Sequence, residues 1–512
     1  MNRSDVLIIG AGPTGLVLAL WLSKLGIGVR IIDKTSAPGT TSRALAVQAR
    51  TLELYRQLDL SETLVEHGHR VAAANFWVKG EPVTRLPLSG IGEDLTPYAF
   101  LQMFPQDAHE RLLIERLEGF GITVERNTEL DSFAESGDGI TARLRLPDGQ
   151  LQTCQACYLA GCDGARSLVR KTLDTDFPGG TYQQVFYVAD VQASGPALNG
   201  ELHLDLDEAD FLAVFPLRGE GRARLIGTVR DGRAAQADSL KFEDVGTRAI
   251  EHLKVRIEQV NWFSTYRVHH RVAAHFRRGR AFLLGDAAHV HSPAGGQGMN
   301  TGIGDAINLA WKFAAVLSGG AEARLLDSYE TERRAFARKL VSTTDKVFSF
   351  VTAQGRMADA LRTRLAPFLL PKVAWFESSR EFLFRTVSQI TLNYRAMPLS
   401  MGVAGQVHGG DRLPWAHDDE GDNFQSLSHP RWQVHVYGDT SDEMTAWCVE
   451  HHLPLQVFAW RPAFETTGLW RNGFYLLRPD TYVAIAETCA DPKIIERYFH
   501  DRGIRAYFAA AS

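Results

Sequence analysis

The sequence Asp5-Val-Leu-Ile-Ile-Gly10-Ala-Gly12-Pro13-Thr-Gly15 has a glycine fingerprint directly after an apolar, β-type run. An apolar run with helical spacing follows from Leu16 to Leu25 and stops at Gly26, and Val29-Arg-Ile-Ile-Asp33 is a second β-type run. These runs predict a βαβ unit. Glycines at such a turn let the backbone approach a pyrophosphate, and the start of the helix offers free N–H groups and a positive dipole to it.

Asp33 strengthens this interpretation. It closes the second predicted strand 23 residues after Gly10, close to the expected distance for the carboxylate that accepts a ribose hydroxyl. A lone glycine fingerprint also arises by chance in tight turns, but here strand, helix, second strand and acidic residue occur together. We therefore predict a dinucleotide site, which these residues alone leave open between NAD and FAD.

The composition excludes several classes of protein. The 512 residues suffice for about three domains, and 45% hydrophobic with 22% charged residues is ordinary globular composition. The 55 basic and 60 acidic residues give a net charge of −5, so the basic footprint of a nucleic-acid-binding protein is missing. Five cysteines do not make a disulfide scaffold. With no apolar stretch near the roughly 20 residues of a spanning helix and no secretion signal, we expect a soluble, cytoplasmic protein.

The pattern of residues changes along the chain. Short alternating runs within 175–272 favour an antiparallel sheet. Ala281 to Asp286 has the pattern of a buried strand, and a glycine-rich loop and a helix from Asp305 to Leu317 follow, so the chain is predicted to re-enter its first domain. A segment rich in helix formers comes next. From residue 401 the pattern is α/β again, with strands predicted at Trp432 to Tyr437 and Phe474 to Leu477.

Two later segments choose between the dinucleotides. One is Gly161-Cys-Asp163-Gly-Ala-Arg-Ser with Arg170, and the other is Gly279-Arg-Ala-Phe-Leu-Leu-Gly-Asp286-Ala-Ala-His289 with Pro293 and Gly295-Gly296-Gln-Gly298-Met299-Asn300. With the first fingerprint they resemble the signatures of the class A FAD-dependent aromatic hydroxylases, flavoprotein monooxygenases of the phenol hydroxylase and aromatic polyketide hydroxylase branch. Further matching positions extend the resemblance over essentially the whole chain: Ser42-Arg43-Ala44, Pro105-Gln106 and Leu326 to Arg333.

The resemblance implies FAD as the cofactor and assigns contacts to it. The family pattern has Asp286 receiving a ribityl hydroxyl, Arg43 and Gln106 contacting FAD, and Asp163 near both FAD and the transient nicotinamide cofactor. The glycine-rich turn starts a helix whose N-terminus would stabilise negative charge on a reduced flavin. The candidate cofactor-binding residues are Gly10, Gly12, Pro13, Gly15, Asp33, Arg43, Gln106, Asp163, Asp286, Pro293, Gly296, Gly298, Met299 and Asn300.

The resemblance also implies an α/β fold with three domains. A Rossmann-like FAD-binding domain (1–174 and 273–345) contains an inserted antiparallel-sheet substrate domain (175–272). A helical linker (346–400) leads to a thioredoxin-like C-terminal domain (401–512). No CxxC motif follows a strand in that last domain, so Cys448 and Cys489 predict no redox function.

The implied reaction is hydroxylation of a phenolic or polycyclic aromatic substrate, with NAD(P)H reducing FAD and dioxygen forming a flavin C4a-hydroperoxide. We expect the substrate between the 175–272 sheet and the flavin, with Phe211, Phe215 and Tyr266 as candidate lining. No motif position supplies a base that activates a phenol, so the catalytic residues are unassigned, and NADPH is not distinguished from NADH. The expected partner is the small aromatic substrate, without nucleic acid or membrane, and a homodimer is a candidate assembly.

The sequence motifs leave other functions open. A Baeyer–Villiger oxygenase would use the same flavin motifs, and a non-oxygenating FAD protein could shelter a reactive intermediate; a flavin halogenase is disfavoured because its Trp-x-Trp-x-Ile-Pro segment is missing. His289 and His291 lack neighbouring ligands in the sequence, so we predict no metal site. Cys154 and Cys157 form a CxxC motif inside a β-type run, which favours buried, inert thiols.

Overall fold

A computed structural model of the chain describes residues 3–39, 44–88, 90–206, 211–229, 240–352 and 377–505. Its strands are β1 (Arg3–Ile9), β2 (Val29–Ile32), β3 (Ala46–Val47), β4 (His69–Val71), β5 (Ala73–Val78), β6 (Glu81–Pro87), β7 (Leu101–Met103), β8 (Glu129–Ser136), β9 (Gly139–Arg145), β10 (Leu151–Gly161), β11 (Gly179–Ser194), β12 (Leu202–Leu206), β13 (Phe211–Pro216), β14 (Arg222–Val229), β15 (Arg256–Val272), β16 (Arg277–Arg278), β17 (Ala281–Leu283), β18 (His289–Val290), β19 (Met401–Ala404), β20 (Val407–His408), β21 (His417–Asp418), β22 (Gly421–Asp422), β23 (Gln433–Tyr437), β24 (Leu455–Phe458), β25 (Gly473–Leu477) and β26 (Val483–Glu487).

Its helices are α1 (Pro13–Lys24), α2 (Ala49–Tyr55), α3 (Ser61–His67), α4 (Gln106–Glu118), α5 (Leu168–Thr172), α6 (Arg248–His252), α7 (Gly298–Leu317), α8 (Asp327–Thr352), α9 (Glu377–Val387), α10 (Asp442–Glu450), α11 (Pro462–Thr466) and α12 (Pro492–Asp501). The fold is mixed α/β, as expected. Among the helices that the structure describes, none has the length and apolar character needed to cross a bilayer.

Seven strands form the first sheet, in the order β16-β17-β10-β1-β2, with β9 beside β10 and β8 beside β9. Strands β17, β10, β1 and β2 are parallel. The core of β1, Val6 to Ile9, is buried, as expected for a strand covered on both faces by other elements. Helix α1 starts at Pro13 and is followed by Gly26, whose φ of +75° suits the end of a helix. The predicted βαβ unit is therefore confirmed.

The second sheet has eight strands in the order β18-β15-β11-β14-β13-β12-β5-β6. Strands β11 to β15 lie within the expected range 175–272, but β5, β6 and β18 come from outside it, so those boundaries do not contain the whole sheet. Strand β12 pairs with β5 in parallel, whereas the other described pairings of this sheet are antiparallel. This pairing joins segments more than 120 residues apart, which no local pattern signals.

The second sheet has two different faces because side chains alternate along each strand. On one face, Leu212 and Val214 of β13 pack in an apolar cluster with Ala249 and Ile250 of α6. On the other face, Phe211 and Phe215 are only half-buried. The expected lining residues thus lie on the face directed away from α6.

The third sheet has six strands in the order β20-β19-β26-β25-β23-β24 and is flanked by α10 to α12. The predicted strands at Trp432 to Tyr437 and Phe474 to Leu477 are confirmed as β23 and β25. Two small sheets, β3-β7-β4 and β21-β22, complete the pairing described.

One helix differs from expectation. Helix α7 begins at Gly298, seven residues before the predicted Asp305, because the glycine-rich composition of its first turns hides a helical start. The expected linker 346–400 falls partly on 353–376, which lie outside the described residues.

Candidate functional site

The three motif segments meet at the carboxyl edge of the first sheet. Its parallel strands end in one row, in which Ile9 lies opposite both Ile32 and Gly161, and Gly161 lies opposite Leu283. The residues that follow these strand ends therefore share one edge: Gly10 and Asp33 on one side, Asp163 and Asp286 on the other. Open α/β sheets bind ligands at this edge, beside the point where the strand order reverses.

The fingerprint glycines have two different roles. Gly10 has a φ of +102°, and a Cβ there would lie 2.4 Å from the Cys162 carbonyl oxygen; a Cβ at Gly15 would lie 2.0 Å from the Gly10 oxygen. These two positions need glycine for the fold itself. A Cβ at Gly12 would have no atom of the described residues within 4 Å, so Gly12 keeps the backbone open toward the sheet edge.

Asp33 is held against the fingerprint. Its Oδ2 accepts the Ala11 N–H at 2.7 Å, and its Oδ1 accepts the Thr35 N–H at 2.8 Å and the Thr35 hydroxyl at 2.6 Å. A carboxylate oxygen has two acceptor positions. The described bonds therefore leave one acceptor position on Oδ2, beside the glycine turn.

The Asp163 carboxylate binds the N-terminus of the short helix α5. Its Oδ2 accepts the N–H groups of Leu168 at 2.7 Å and Val169 at 3.1 Å. Its Oδ1 is buried and has no hydrogen-bond partner among the described residues. Buried polar atoms are normally paired, so this oxygen is a candidate ligand contact.

Arg170 connects the second motif to the third. It donates to the Ala287 carbonyl oxygen at 2.8 Å and to the Ala165 carbonyl oxygen at 2.7 Å, and its guanidinium lies 3.9 Å from the centre of the Phe177 ring. By contrast, Arg166 of the same motif is exposed.

A buried ionic network supports the turn that carries Asp286. Asp286 itself is exposed, in the single helical turn Gly285–Ala287. Asp305 accepts the Gly285 N–H at 2.9 Å, a bond from His289 Nε2 at 2.7 Å and one from Arg333 Nε at 2.6 Å. Burial alone would raise the pKa of Asp305, but the charges of Arg333 and His289 outweigh it and the pKa is lowered. Asp305 is thus a carboxylate that fixes the turn.

His289 lies in this network, stacked on Phe276 with ring centres 5.8 Å apart. Across the described ranges, no group of three or more His, Cys, Asp or Glu side chains is arranged to hold a metal ion.

The glycine-rich turn leads into an uncapped helix. Gly295 and Gly296 have φ values of +77° and +62°, and a Cβ at Gly296 would lie 2.9 Å from the Ala46 Cβ. At Gly298, the nearest atom to an added Cβ would be His291 Nε2, at an ordinary 3.8 Å. None of the described side chains caps α7, and its first turn has no acidic residue. The first N–H groups of the helix lack partners within the helix itself. Pro293 before the turn is exposed, and Met299 is half-buried.

Asn300 has its side chain fully engaged within the protein. Its Oδ1 accepts the Gln48 N–H at 2.9 Å and the Thr51 hydroxyl at 2.8 Å, and its Nδ2 donates to the carbonyl oxygens of Ala46 and Gly296, both at 2.9 Å. These four bonds use both acceptor positions of the amide oxygen and both N–H groups of the amide nitrogen. Asn300 therefore fixes the start of α7 to the segment between β3 and α2, and what it offers a ligand is its backbone N–H.

Several residues that hold this site together were not predicted from the sequence. Gln48 donates its Nε2 to the Gly295 carbonyl oxygen at 2.9 Å. The Ala44 carbonyl oxygen accepts the Gln106 N–H at 3.2 Å and a bond from Arg224 of the second sheet at 3.2 Å. Ala44 directly follows Arg43, which lies outside the described residues. The motif signatures do not include Gln48 or Arg224, and only the spatial arrangement reveals them.

The aromatic face of the second sheet contains a neutralised ion pair. Arg224 donates twice to the Asp190 carboxylate, at 2.6 and 2.8 Å. Phe211 and Tyr266 pack around Phe186, whose ring centre is 6.0 Å from that of Tyr266. Phe215 instead belongs to a cluster with residues of the first half of the chain, including Leu45, Ala46 and Met103. The three expected lining residues share a face but not a cluster.

All five cysteines are free thiols. Cys154 and Cys157 lie within β10, as the β-type run predicted. Cys448 is buried beside Met444, and burial raises the pKa of its thiol to about 11, whereas Cys489 is exposed.

We expect Cys448→Ser and Cys489→Ser to leave turnover per folded, FAD-loaded enzyme unchanged, because neither thiol faces a partner cysteine. Cys448→Ser buries a hydroxyl and should cost about 1–3 kcal/mol of stability, while Cys489→Ser should cost almost nothing. Steady-state rates divided by FAD content measure the turnover of each variant, and unfolding midpoints measure its stability. A large loss of turnover in either variant, with folding and FAD content intact, would contradict an inert role for these thiols.

A sheet whose parallel strands end at a glycine fingerprint, an acidic residue and the start of a helix is typical of dinucleotide-binding proteins. Residues 3–344 match the family model described as FAD binding domain. The chain is 33% identical to 6-methylpretetramide 4-monooxygenase of Streptomyces rimosus, over 94% of this chain and 90% of that protein. It is 31% identical to pentachlorophenol 4-monooxygenase of Sphingobium chlorophenolicum, over 80% of this chain and 75% of that protein.

A solved structure, the OxyS anhydrotetracycline hydroxylase from Streptomyces rimosus, has the same fold, with a TM-score of 0.78 and 26% identity over 98% of this chain and 99% of that one. The chain belongs to the class A FAD-dependent aromatic hydroxylases. It is an FAD-dependent monooxygenase, an oxidoreductase that uses dioxygen and a reduced nicotinamide.

Proposed function

We propose that FAD lies along the carboxyl edge of the first sheet and that the aromatic face of the second sheet holds a phenolic or polycyclic substrate, which the enzyme hydroxylates. The observation that carries this proposal is the open backbone at Gly12, at the start of a helix with no acidic residue in its first turn. On the same sheet edge, the buried Oδ1 of Asp163 has no hydrogen-bond partner within the described ranges. A pyrophosphate needs such an approach and such a dipole.

The candidate cofactor residues fit FAD. Gly12 and Pro13 would lie at the pyrophosphate, and Asp33 has the remaining acceptor position that a ribose hydroxyl requires. Asp286 would receive a ribityl hydroxyl. The N–H groups of Gly298, Met299 and Asn300 would face the flavin ring. Gln106, Arg43, Pro293 and Gly296 complete the proposed set. The Gln106 side chain also donates to Glu110 at 2.8 Å.

When bound, the reduced flavin supplies the chemistry that activates dioxygen for transfer of one oxygen atom. The protein must orient the substrate carbon and exclude water. The half-buried rings of Phe211 and Tyr266, which pack around the buried Phe186, would provide an apolar surface for this. Because Arg224 is neutralised by Asp190 in a two-point pair, this face presents no unpaired charge from that arginine. The face therefore suits a largely neutral aromatic ring system.

The names of the relatives support the same substrate class. The compounds in these names are pentachlorophenol, which is a chlorinated phenol, and the polycyclic 6-methylpretetramide and anhydrotetracycline. A phenolic or polycyclic aromatic compound is accordingly the substrate that we propose for this chain.

We further infer that each large sheet is the core of one domain. The first would be the Rossmann-like FAD-binding domain, and the second the substrate domain, enlarged by β5, β6 and β18. The third would be a thioredoxin-like domain, in which β23, α10 and the parallel strand β24 form a βαβ unit followed by the β25–β26 hairpin. Its role would be packing or assembly, since Cys448 and Cys489 have no nearby dithiol partner in sequence. A homodimer, and the absence of a nucleic-acid partner, remain predictions.

The protein should purify yellow and release FAD on heating or acidification, because no histidine or cysteine occupies a motif position suited to covalent attachment. Asp286→Ala should weaken FAD binding about 10- to 100-fold, the effect of losing one hydrogen bond to a charged group. The control is Glu220→Ala, which removes an exposed carboxylate from a turn of the second sheet. The fluorescence of released FAD measures cofactor binding in both variants. Equal FAD affinity in the two variants would contradict the assignment of Asp286.

A further inference from the structure

The turn between β25 and β26, residues 478–482, reaches into the first half of the chain; we call it the C-terminal turn. Thr481 in this turn has a φ of +64°. That left-handed conformation is unfavourable for a β-branched residue, and glycine or asparagine normally takes such positions. Strained backbone persists when surrounding contacts over-determine it. The contacts of Thr481 are therefore informative.

Thr481 and its neighbour bind a buried arginine of α2. Arg50 donates through Nη2 to the Thr481 hydroxyl oxygen and to the Asp480 carbonyl oxygen, both at 2.9 Å. Through Nη1 it donates to Glu53 at 3.0 Å, and Glu53 is also held by Arg412. The guanidinium of Arg50 is thus fixed on one side by its own helix and on the other by the C-terminal turn.

The next residue along α2 carries this connection to α7. Thr51 donates its hydroxyl to Asn300 Oδ1 at 2.8 Å, and Asn300 is the third residue of α7 and also binds the Gly296 carbonyl oxygen. Arg50 and Thr51 are adjacent in one rigid helix. A displacement of Arg50 would therefore move the group that holds the start of α7.

A second set of buried bonds links the same turn to the middle of α7. Asp480 Oδ2 accepts the Trp311 indole N–H at 3.1 Å. Arg478 donates to both carboxylate oxygens of Glu332, at 2.7 and 3.0 Å, and Glu332 also accepts from Lys312 at 2.8 Å. The side chains of Arg478, Glu332 and Lys312 are fully buried. The C-terminal turn therefore holds α7 at two separate places.

We propose that the C-terminal turn is a positioning element for the flavin: through Arg50 and α2, Thr481 sets where the first turn of α7 lies. This inference rests on the proposed function, in which that turn faces the flavin ring. It gives the C-terminal domain a role in the reaction that requires no thiol chemistry. Because a misplacement of about 1 Å can cost about 100-fold in rate, a bond this far from the substrate can still control coupling.

The test is Thr481→Gly, which relieves the left-handed strain while removing the hydroxyl that binds Arg50. Because bound FAD itself stabilises the folded protein, the midpoints are measured with FAD at the same multiple of each protein's own dissociation constant. Under these conditions we expect the unfolding midpoint to stay at or above the wild-type value. We expect the FAD dissociation constant to rise about fivefold or more, as for typical coupling between sites, and more NAD(P)H to be consumed per product formed. A merely structural role would move stability and FAD affinity in the same direction, so a lower midpoint together with weaker FAD binding would overturn the proposal.

Two variants control for the backbone change and the hydrogen bond. Lys254→Gly changes an exposed residue that also has a positive φ, +53°, after α6, and should keep wild-type FAD affinity. Thr481→Asn keeps an acceptor oxygen on a residue that tolerates the left-handed conformation, so it should also match wild type. If Thr481→Asn loses FAD as Thr481→Gly does, the bond to Arg50 is not the cause and the proposal fails.

Asn300→Ala separates the two proposals. It removes the side chain that ties α7 to α2 and should weaken FAD binding at least as much as Thr481→Gly. If Asn300→Ala weakens FAD binding and Thr481→Gly leaves affinity and coupling at wild-type values, the role of the C-terminal turn is overturned and the proposed flavin site stands. If neither variant changes FAD affinity or coupling, the first turn of α7 does not face the flavin, and both proposals fall.

Discussion

Gly12→Val should give a folded protein that does not retain FAD. The backbone of Gly12, with φ −78° and ψ −179°, is extended and open to any residue, and no atom of the described residues lies within 4 Å of an added Cβ. We therefore expect the new side chain to clash with a ligand at the sheet edge and to leave the fold intact. We expect FAD affinity to fall at least about 100-fold, equivalent to about 2.7 kcal/mol. Circular dichroism and the unfolding midpoint test whether the variant folds, and the amount of bound FAD tests whether it retains the cofactor.

Gly15→Val is the informative contrast. Its Cβ would lie 2.0 Å from the Gly10 carbonyl oxygen, so this variant should lose the fold of the first βαβ unit and FAD together. A Gly12→Val protein that binds FAD with wild-type affinity would show that the cofactor does not pass this turn.

Gly298→Val should uncouple the reaction. The nearest protein atom to the new Cβ would be at 3.8 Å, so the protein should fold, while the added bulk would tilt the flavin or weaken its binding. With the ring displaced by about 1 Å, product formation should fall about 100-fold. NAD(P)H would still be consumed, and hydrogen peroxide would be released instead of hydroxylated product. The measurement is the ratio of product to NAD(P)H consumed.

Ala315→Val tests the specificity of that effect, since it enlarges a half-buried residue in the last turns of the same helix. It should keep wild-type coupling. If Gly298→Val itself binds FAD normally and couples NAD(P)H to product as the wild type does, this loop does not lie against the flavin and its assignment must be withdrawn.

The parts of the fold that the sequence predicted are those encoded by local pattern. The βαβ unit follows from one apolar strand, one apolar helix and Gly26, and β23 and β25 follow from short β-type runs. The start of α7 was missed because Gly298 and Gly302 have poor helix propensity, although both lie in the helix. There, tertiary packing overrides propensity: a Cβ at Gly302 would lie 2.3 Å from the Thr14 hydroxyl oxygen.

The site was predictable where a motif has a local mechanism, and not where distant residues supply the support. The glycines and acidic strand ends occupy fixed positions relative to strands, so their common edge could be expected. The support comes from Gln48 and Thr51 on Asn300, and from Arg224 on the Ala44 carbonyl oxygen. These bonds join residues about 180 to 250 positions apart. Nothing in the local spacing of one sequence encodes such pairs.

Hydroxylation of an aromatic ring by this protein is tested by NAD(P)H oxidation under ¹⁸O₂ with and without a panel of phenols and polycyclic quinones. We expect at least one of these compounds to stimulate NAD(P)H oxidation and its product to carry a single ¹⁸O atom on an aromatic carbon, identified by mass and NMR. An NMR spectrum showing the oxygen inserted into a ring carbon–carbon bond would indicate a Baeyer–Villiger oxygenase. A yellow protein whose NAD(P)H oxidation no compound stimulates, and which forms no labelled product, would show that the protein is not an aromatic hydroxylase.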